Sequence, residues 1–82
     1  MSRFQLKVSR IALRYSRKQL GNIFSIPETN IADWETGGEM LSTFSSHDSN
    51  IINNIKSYFI DSGIIFPSFN IVIIQDDPVN KN

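Results

Sequence analysis

At 82 residues the chain has room for one small core and none for a second, ligand-binding domain. It contains no cysteine, which excludes disulfide frameworks, thiolate catalysis and cysteine zinc sites and fits a reducing compartment. Its eight basic and eight acidic residues cancel, but unevenly: Arg3, Lys7, Arg10, Arg14, Arg17 and Lys18 all precede the first acid, Glu28, after which only Lys56 and Lys81 are basic. Such a run is either the solvated face of a helix or a basic pole directed at a polyanion. No apolar run is long enough to cross a bilayer, and Met1-Ser2-Arg3-Phe4 lacks the apolar stretch of a signal peptide, so a soluble cytoplasmic protein is expected.

From Phe4 to Tyr15, Leu6, Val8, Ile11 and Leu13 stand among basic residues with no Gly or Pro, the pattern of an amphipathic helix ending near Tyr15. Ser16-Arg17-Lys18-Gln19 follows with the spacing of a capping box, in which the hydroxyl takes the amide at the third helical position and Gln19 reaches back. The second helix runs through Leu20, Ile23 and Phe24. It is predicted to stop at Ser25-Ile26-Pro27, because Pro27 has no amide donor and pushes Ile26 out of the helical region. A third helix, Glu28 to Thr36, carries Ile31, Trp34 and Glu35 at helical spacing, with Glu28 at the positive end of its dipole and Gly37-Gly38 as its stop.

Arg10-Ile11-x-Leu13, Ser16-x-x-x-Leu20-Gly21 and Ile31-x-x-Trp34-Glu35-x-Gly37 together resemble the Cro/repressor (XRE) helix-turn-helix family over roughly the first half of the chain. The residues suit that arrangement: Leu20, Ile31 and Trp34 are the apolar contacts that would fix the angle between two helices, and Gly21 is small enough for close approach. The resemblance implies a structural ion pair between Arg10 and Glu35, which takes both off any list of DNA contacts. It also implies that the third helix enters the major groove of double-stranded DNA, with Glu28, Thr29 and Asp33 facing bases and Asn30 serving either a base or a phosphate. Arg17 stands where the family often has Gln and would contact a phosphate, supported by Lys18, Arg14 and the loop amides around Gly38. Simple exposure is the plain alternative for Arg17 and Lys18.

Two departures from the family pattern carry physical weight. The recognition helix has Glu28 and Asp33 but no Lys or Arg; a carboxylate can accept from cytosine N4, yet it raises the cost of approaching phosphates. Ser25 occupies a turn position usually held by Gly, where a positive φ is often needed, so a slightly strained turn is expected.

Beyond Gly37-Gly38, the polar stretch Glu39 to Ser46 has room for one short helix, with Met40, Leu41 and Phe44 as anchors to the core. Asp48 or Ser49 can cap a longer helix in which Ile51, Ile52, Ile55, Tyr58 and Phe59 form an apolar stripe, ending at Asp61-Ser62-Gly63. Ile64-Ile65-Phe66 and Phe69 to Ile74 are rich in β-formers and apolar on both faces. Pro67-Ser68 is poor chemistry for a tight hairpin, since primed turns need a positive φ that Pro cannot adopt, so a kinked single strand is expected. A lone strand leaves unpaired backbone groups. Pairing it with its copy in a two-fold homodimer, through Phe66, Phe69, Ile71 and Ile73, would satisfy them; packing on the protomer's own helices is the alternative.

The fold expected is therefore mainly α: a phage-repressor-like helix-turn-helix bundle of four to five helices with a C-terminal β-strand, spanning residues 1–75, followed by a flexible tail at 76–82. The function implied is that of a dimeric, sequence-specific transcriptional regulator in a prokaryotic cytoplasm, nucleoid-associated when bound. It would act on a pseudo-palindromic operator with half-sites about one helical turn, roughly 34 Å, apart. The acidic third helix keeps a second reading open, a protein-interaction module of antitoxin or anti-repressor type on the same fold. An enzyme is not expected, because no nucleophile has a base at a suggestive spacing and no Gly-rich loop cradles phosphates. His47, the single histidine, has no cysteine or carboxylate cluster at ligand spacing, so neither a metal nor another cofactor is expected. Nor is a membrane contact or a small-molecule ligand.

Overall fold

A computed structural model describes residues 1–75, which form four helices and then a two-stranded antiparallel sheet: α1 (Arg3–Ala12), α2 (Arg17–Phe24), α3 (Glu28–Thr36), α4 (Ser49–Asp61), β1 (Ile64–Ser68) and β2 (Ile71–Ile74). The segment 76–82, expected to be a flexible tail, lies outside the described residues. Leu6 of α1, Leu20 of α2, Ile31 of α3, Ile52, Ile55 and Phe59 of α4 and Ile64 of β1 make one buried cluster. Each such side chain contributes about 1.5–3 kcal/mol by leaving water, so the four helices and the sheet share a single apolar centre. Among the described residues no helix is long and apolar enough to cross a membrane.

Helix boundaries follow local chemistry. Ser16 and Gln19 form the expected capping box at the start of α2, and the same Ser-x-x-Gln spacing recurs at Ser2 and Gln5, where it starts α1. The first helix ends at Ala12 and not near Tyr15. Arg14 takes a left-handed conformation (φ 65°), its N–H closing on the Ile11 carbonyl and that of Tyr15 on the Arg10 carbonyl, the hydrogen-bond pattern of a Schellman motif with Arg where Gly is usual. At the end of α2, Ser25 is likewise left-handed (φ 57°, ψ 44°), the strain anticipated for a side chain at this position. The fourth helix closes where expected, at Ser62, followed by Gly63 with φ +99°.

No helix forms between Gly38 and Asp48; the bundle has four helices. The loop serves α1 instead: the Met40 and Ser42 carbonyls accept from the Phe4 and Arg3 amides at 2.7 and 3.1 Å, donors that a helix start leaves without intrahelical partners. Around those carbonyls the loop's own bonding is a single turn, in which the Ser42 N–H donates to the Glu39 carbonyl at 3.0 Å. Of the three expected anchors only Phe44 packs, edge-on against Trp34, while Met40 and Leu41 are exposed.

The single kinked strand expected at the C-terminus is a hairpin. Ile64 pairs with Ile74, Ile65 with Ile73 and Ser68 with Ile71, so the two-residue turn is Phe69-Asn70 and Pro67 lies within β1. Between the last two pairs, Phe66 and Pro67 stand opposite Val72 alone, a bulge. The bulge explains why Pro67 did not prevent pairing: a residue with no N–H costs nothing where the ladder is already interrupted. Pairing within the chain also removes the premise that a lone strand needs a partner subunit to satisfy its backbone. The sheet folds onto α1 and α4.

One buried amide fastens it there. Gln5, 2 % exposed, accepts from the Ser2 N–H through Oε1 and donates from Nε2 to the carbonyls of Ser68 and Ile71, while Ser2 Oγ donates to the Phe69 carbonyl at 2.7 Å. The capping box of α1 is thus also the clasp on the hairpin turn. Gln5→Leu keeps the volume but leaves those buried groups unpaired, and each such group costs about 1–3 kcal/mol. We expect a loss of about 2–3 kcal/mol in urea-unfolding stability; a change under about 0.5 kcal/mol would show that the clasp does not hold the hairpin.

Candidate nucleic-acid interface

The centre of the α2–turn–α3 unit is a buried carboxylate. The Glu35 side chain is fully buried, and Arg10 donates to it twice, Nε to Oε2 at 2.6 Å and Nη2 to Oε1 at 3.0 Å. Arg17 adds Nε to Oε1 at 3.0 Å. Arg10 Nη1 also donates to the Tyr15 carbonyl at 2.8 Å, so one cluster joins α1, the segment after it, α2 and the end of α3. The Arg10–Glu35 pair implied by the family resemblance is therefore present, and Arg17 extends it. Next to the cluster, the hydroxyls of Tyr15 and Tyr58 lie 2.7 Å apart; that hydrogen bond, and then burial, raises the Tyr58 pKa.

Gly21 is buried in α2, and a Cβ there would collide with the Ile26 carbonyl and approach the Glu28 amide. The close approach is thus between α2 and the turn backbone that leads into α3. Any side chain at 21 would push that turn away, and with it the start of α3.

On α3, Ile31 and Glu35 turn inward, and Glu28, Thr29, Asn30 and Asp33 are all exposed. Thr29 and Asp33, four residues apart, share the face opposite Ile31. Nothing in the described chain covers these side chains. The candidate cations divide into two kinds. Arg14 and Lys18 are exposed and make no ion pair among the described residues. Arg17 is 36 % exposed and commits only Nε to Glu35, which fixes its orientation while its terminal amino groups carry no hydrogen bond among the described residues. Gly38 does not join this group: it lies beside the Arg3 side chain and Ser42, at the start of α1, whereas Arg14 follows that helix's end, about 15 Å away along ten residues.

Arg3, one of the early basic residues, is engaged inside the fold. Its Nε donates to Ser42 Oγ and its Nη1 to the Trp34 carbonyl, both at 2.9 Å, and its guanidinium sits 4.7 Å from the centre of the Phe44 ring. It straps the loop and the end of α3 to α1. Those partners are 31 to 41 positions away, and no local pattern announces them. Of the six early cations, then, Arg3, Arg10 and Arg17 have internal partners, and Lys7, Arg14 and Lys18 have none among the described residues. Among the predicted dimer residues, Ile71, Ile73 and Phe69 are exposed, but Phe66 turns toward the core.

The arrangement offers a surface rather than a pocket. A cavity of about 230 Å³ under the hairpin, lined by Met1, Gln5, Lys56, Phe66, Ser68 and Phe69, takes no residue from α2 or α3. No family model, characterised protein or solved structure matches the chain. What the surface offers chemically is the exposed first turn of α3 and the cations at the start of α2.

Two stability measurements test the frame. Glu35→Ala leaves Arg10 buried beside an unfilled space, and breaking a buried pair in this way costs about 3–5 kcal/mol. For a domain whose whole stability is about 0.05–0.15 kcal/mol per residue, that is a large fraction of it. The variant should melt well below the wild type by circular dichroism, and an unchanged melting curve would contradict the role given to the cluster. Ser25→Gly relieves a left-handed side chain and should stabilise by about 1 kcal/mol or less, raising Tm by a few degrees. A fall in Tm would mean that the Ser25 side chain is not strained there.

Proposed function

We propose that the chain is a DNA-binding regulator of the helix-turn-helix type, with a phage-repressor-like arrangement of its helices, that places α3 in the major groove of duplex DNA. The observation that carries this reading is the first turn of α3: among the described residues Glu28, Thr29 and Asn30, with Asp33 one turn on, are exposed, on a helix tied to α1 and α2 by a buried ion cluster. A helix held this firmly with its outer face uncovered suits insertion into a groove, where base edges are read. Arg17 supports it from the start of α2, pre-oriented by Glu35 with its terminal amino groups outward, and Arg14 and Lys18 add positive charge beside it.

In this reading the protein acts as a homodimer on a pseudo-palindromic site, each copy reading one half. The regulator would work in the cytoplasm, on the nucleoid. Glu28 and Asp33 favour a second reading, a protein-interaction module in which the same face of α3 meets a basic partner. The two separate cleanly on DNA.

Lys18 has no partner among the described residues, so removing it tests the contact without disturbing the fold. Lys18→Ala should leave Tm unchanged, weaken binding to every duplex, and make the slope of log K against log salt shallower by about 0.9. Selection of random duplexes by the wild-type protein should enrich a two-fold motif. Failure to enrich any motif, with Lys18→Ala binding as tightly as wild type, would overturn DNA recognition in favour of the protein-interaction module.

A further inference from the structure

The cavity under the hairpin is built from α1, α4 and the sheet, and its lining mixes apolar walls with one cation. Met1, Phe66 and Phe69 supply the walls, Gln5 and Ser68 add polar groups, and Lys56 reaches it from α4. The polar groups are already engaged: Gln5 in the clasp on the hairpin turn, and Ser68 Oγ on Asn70 Oδ1 at 3.0 Å. Lys56 differs. It is half-buried, it makes no ion pair among the described residues, and no carboxylate lines the cavity. Burial, and then the nearby Lys56 ammonium, lower the pKa of the Met1 amino group, so the charged end of Lys56 lies at the cavity and not only its aliphatic stem.

We infer that this cavity binds a small aromatic carboxylate, with its ring against Phe66, Phe69 and Met1 and its carboxylate on the Lys56 ammonium. The site is separate from the DNA contacts proposed above, since no residue of α2 or α3 lines it. The lining chemistry selects the occupant. A neutral apolar molecule would take water from the Lys56 charge and return nothing, and burying an unpaired charge is costly. A cation would be repelled. A phosphate would find one ammonium and apolar walls, and would lose hydration that a single lysine does not replace. What fits is an apolar body with one negative charge.

Size and wall composition narrow the body. At about 230 Å³ the cavity is smaller than the roughly 300–1,000 Å³ of drug-sized sites, so one ring with a short side arm is the scale of its ligand. Two phenyl rings can meet a third edge-on or offset, and a thioether packs well at a ring edge. So few ligand atoms bind weakly, with Kd about 0.1–1 mM. No second domain is needed to hold such a ligand. Because it would touch both Gln5 and the hairpin turn, and only in the folded chain, its binding also stabilises the fold.

Titration of the isotope-labelled full chain with phenylacetate should give saturable amide shifts in the nuclear magnetic resonance spectrum at Gln5, Lys56, Ser68 and Phe69. Phenylacetamide, which lacks the charge, and acetate, which lacks the ring, should each bind at least tenfold more weakly. Lys56→Met keeps an unbranched apolar stem and removes the charge; it should weaken phenylacetate binding at least tenfold with an unchanged far-ultraviolet spectrum. Should that variant not fold, Phe69→Ala, whose ring is 59 % exposed and whose carbonyl still accepts from Ser2, should weaken binding several-fold. The inference is overturned by the absence of saturable shifts up to about 10 mM, well above the expected Kd. It is equally overturned by shifts confined to Arg14, Arg17 and Lys18, or by equal affinity for phenylacetate and phenylacetamide. Octanoate binding more tightly than phenylacetate would overturn the aromatic assignment. Each of these results leaves DNA recognition standing.

Discussion

Glu35 is the constraint around which the helical half is built. A carboxylate with no exposed side-chain surface loses several kcal/mol of hydration, and that loss offsets much of what its ion pairs return. What the cluster adds is direction. Its two oxygens are satisfied only when Arg10 on α1 and Arg17 on α2 both reach the end of α3, so three helices must be in place at once. Two guanidinium groups around one carboxylate also leave a net positive charge at the start of α2. The field of the basic run therefore persists where most of the donors of Arg10 are engaged.

The sheet half depends on α1 in the same way. A two-stranded hairpin is marginal by itself, and this one has a bulge and a turn with no left-handed residue, so its stability comes from what it leans on. Ser2 and Gln5 take the carbonyls of Ser68, Phe69 and Ile71, and Ile64 enters the common core. The loop at Met40–Ser42 closes on the same helix start. Helix α1 thus joins the two halves, held at its beginning by the hairpin and loop and near its end by the Glu35 cluster.

What could be read from the sequence was what local chemistry decides. The Ser16 box, Pro27, Gly37 and Ser62-Gly63 each punctuate a helix through their own backbone preferences, so α2 and α3 begin and end, and α4 ends, where those residues say; Asp48 stands at the start of α4 but its side chain makes no capping bond. Arg14 gave no such signal, because a left-handed Arg is held by bonds to Ile11 and Arg10 rather than by any preference of its own. Pro67 misled in the opposite sense: its preference was read correctly, but the bulge moved the turn two residues on. Gln5 resembles an ordinary surface residue of an amphipathic helix until its hairpin partners, more than sixty positions away, are in place. The candidate site divides likewise. The outward placement of Glu28, Thr29, Asn30 and Asp33 was implied by the family resemblance, and they are exposed, while the engagement of Arg3 and Arg17 required the tertiary fold.

The acidity of α3 bears on how a groove-reading helix of this kind would discriminate. Glu28 and Asp33 oppose approach to any polyanion, so in the proposed reading the attraction would have to come from Arg14, Arg17, Lys18 and the net charge of the Glu35 cluster, which would meet phosphates and carry no sequence information. A carboxylate in the major groove is satisfied only where a donor such as cytosine N4 faces it. At every other sequence it remains unpaired beside phosphates, a penalty the correct site does not incur. The same two side chains would thus lower affinity in general and widen the gap between right and wrong sites. A single such domain would bind weakly, and joining two of them would make the second half-site an intramolecular encounter and offset part of the affinity that the acids remove.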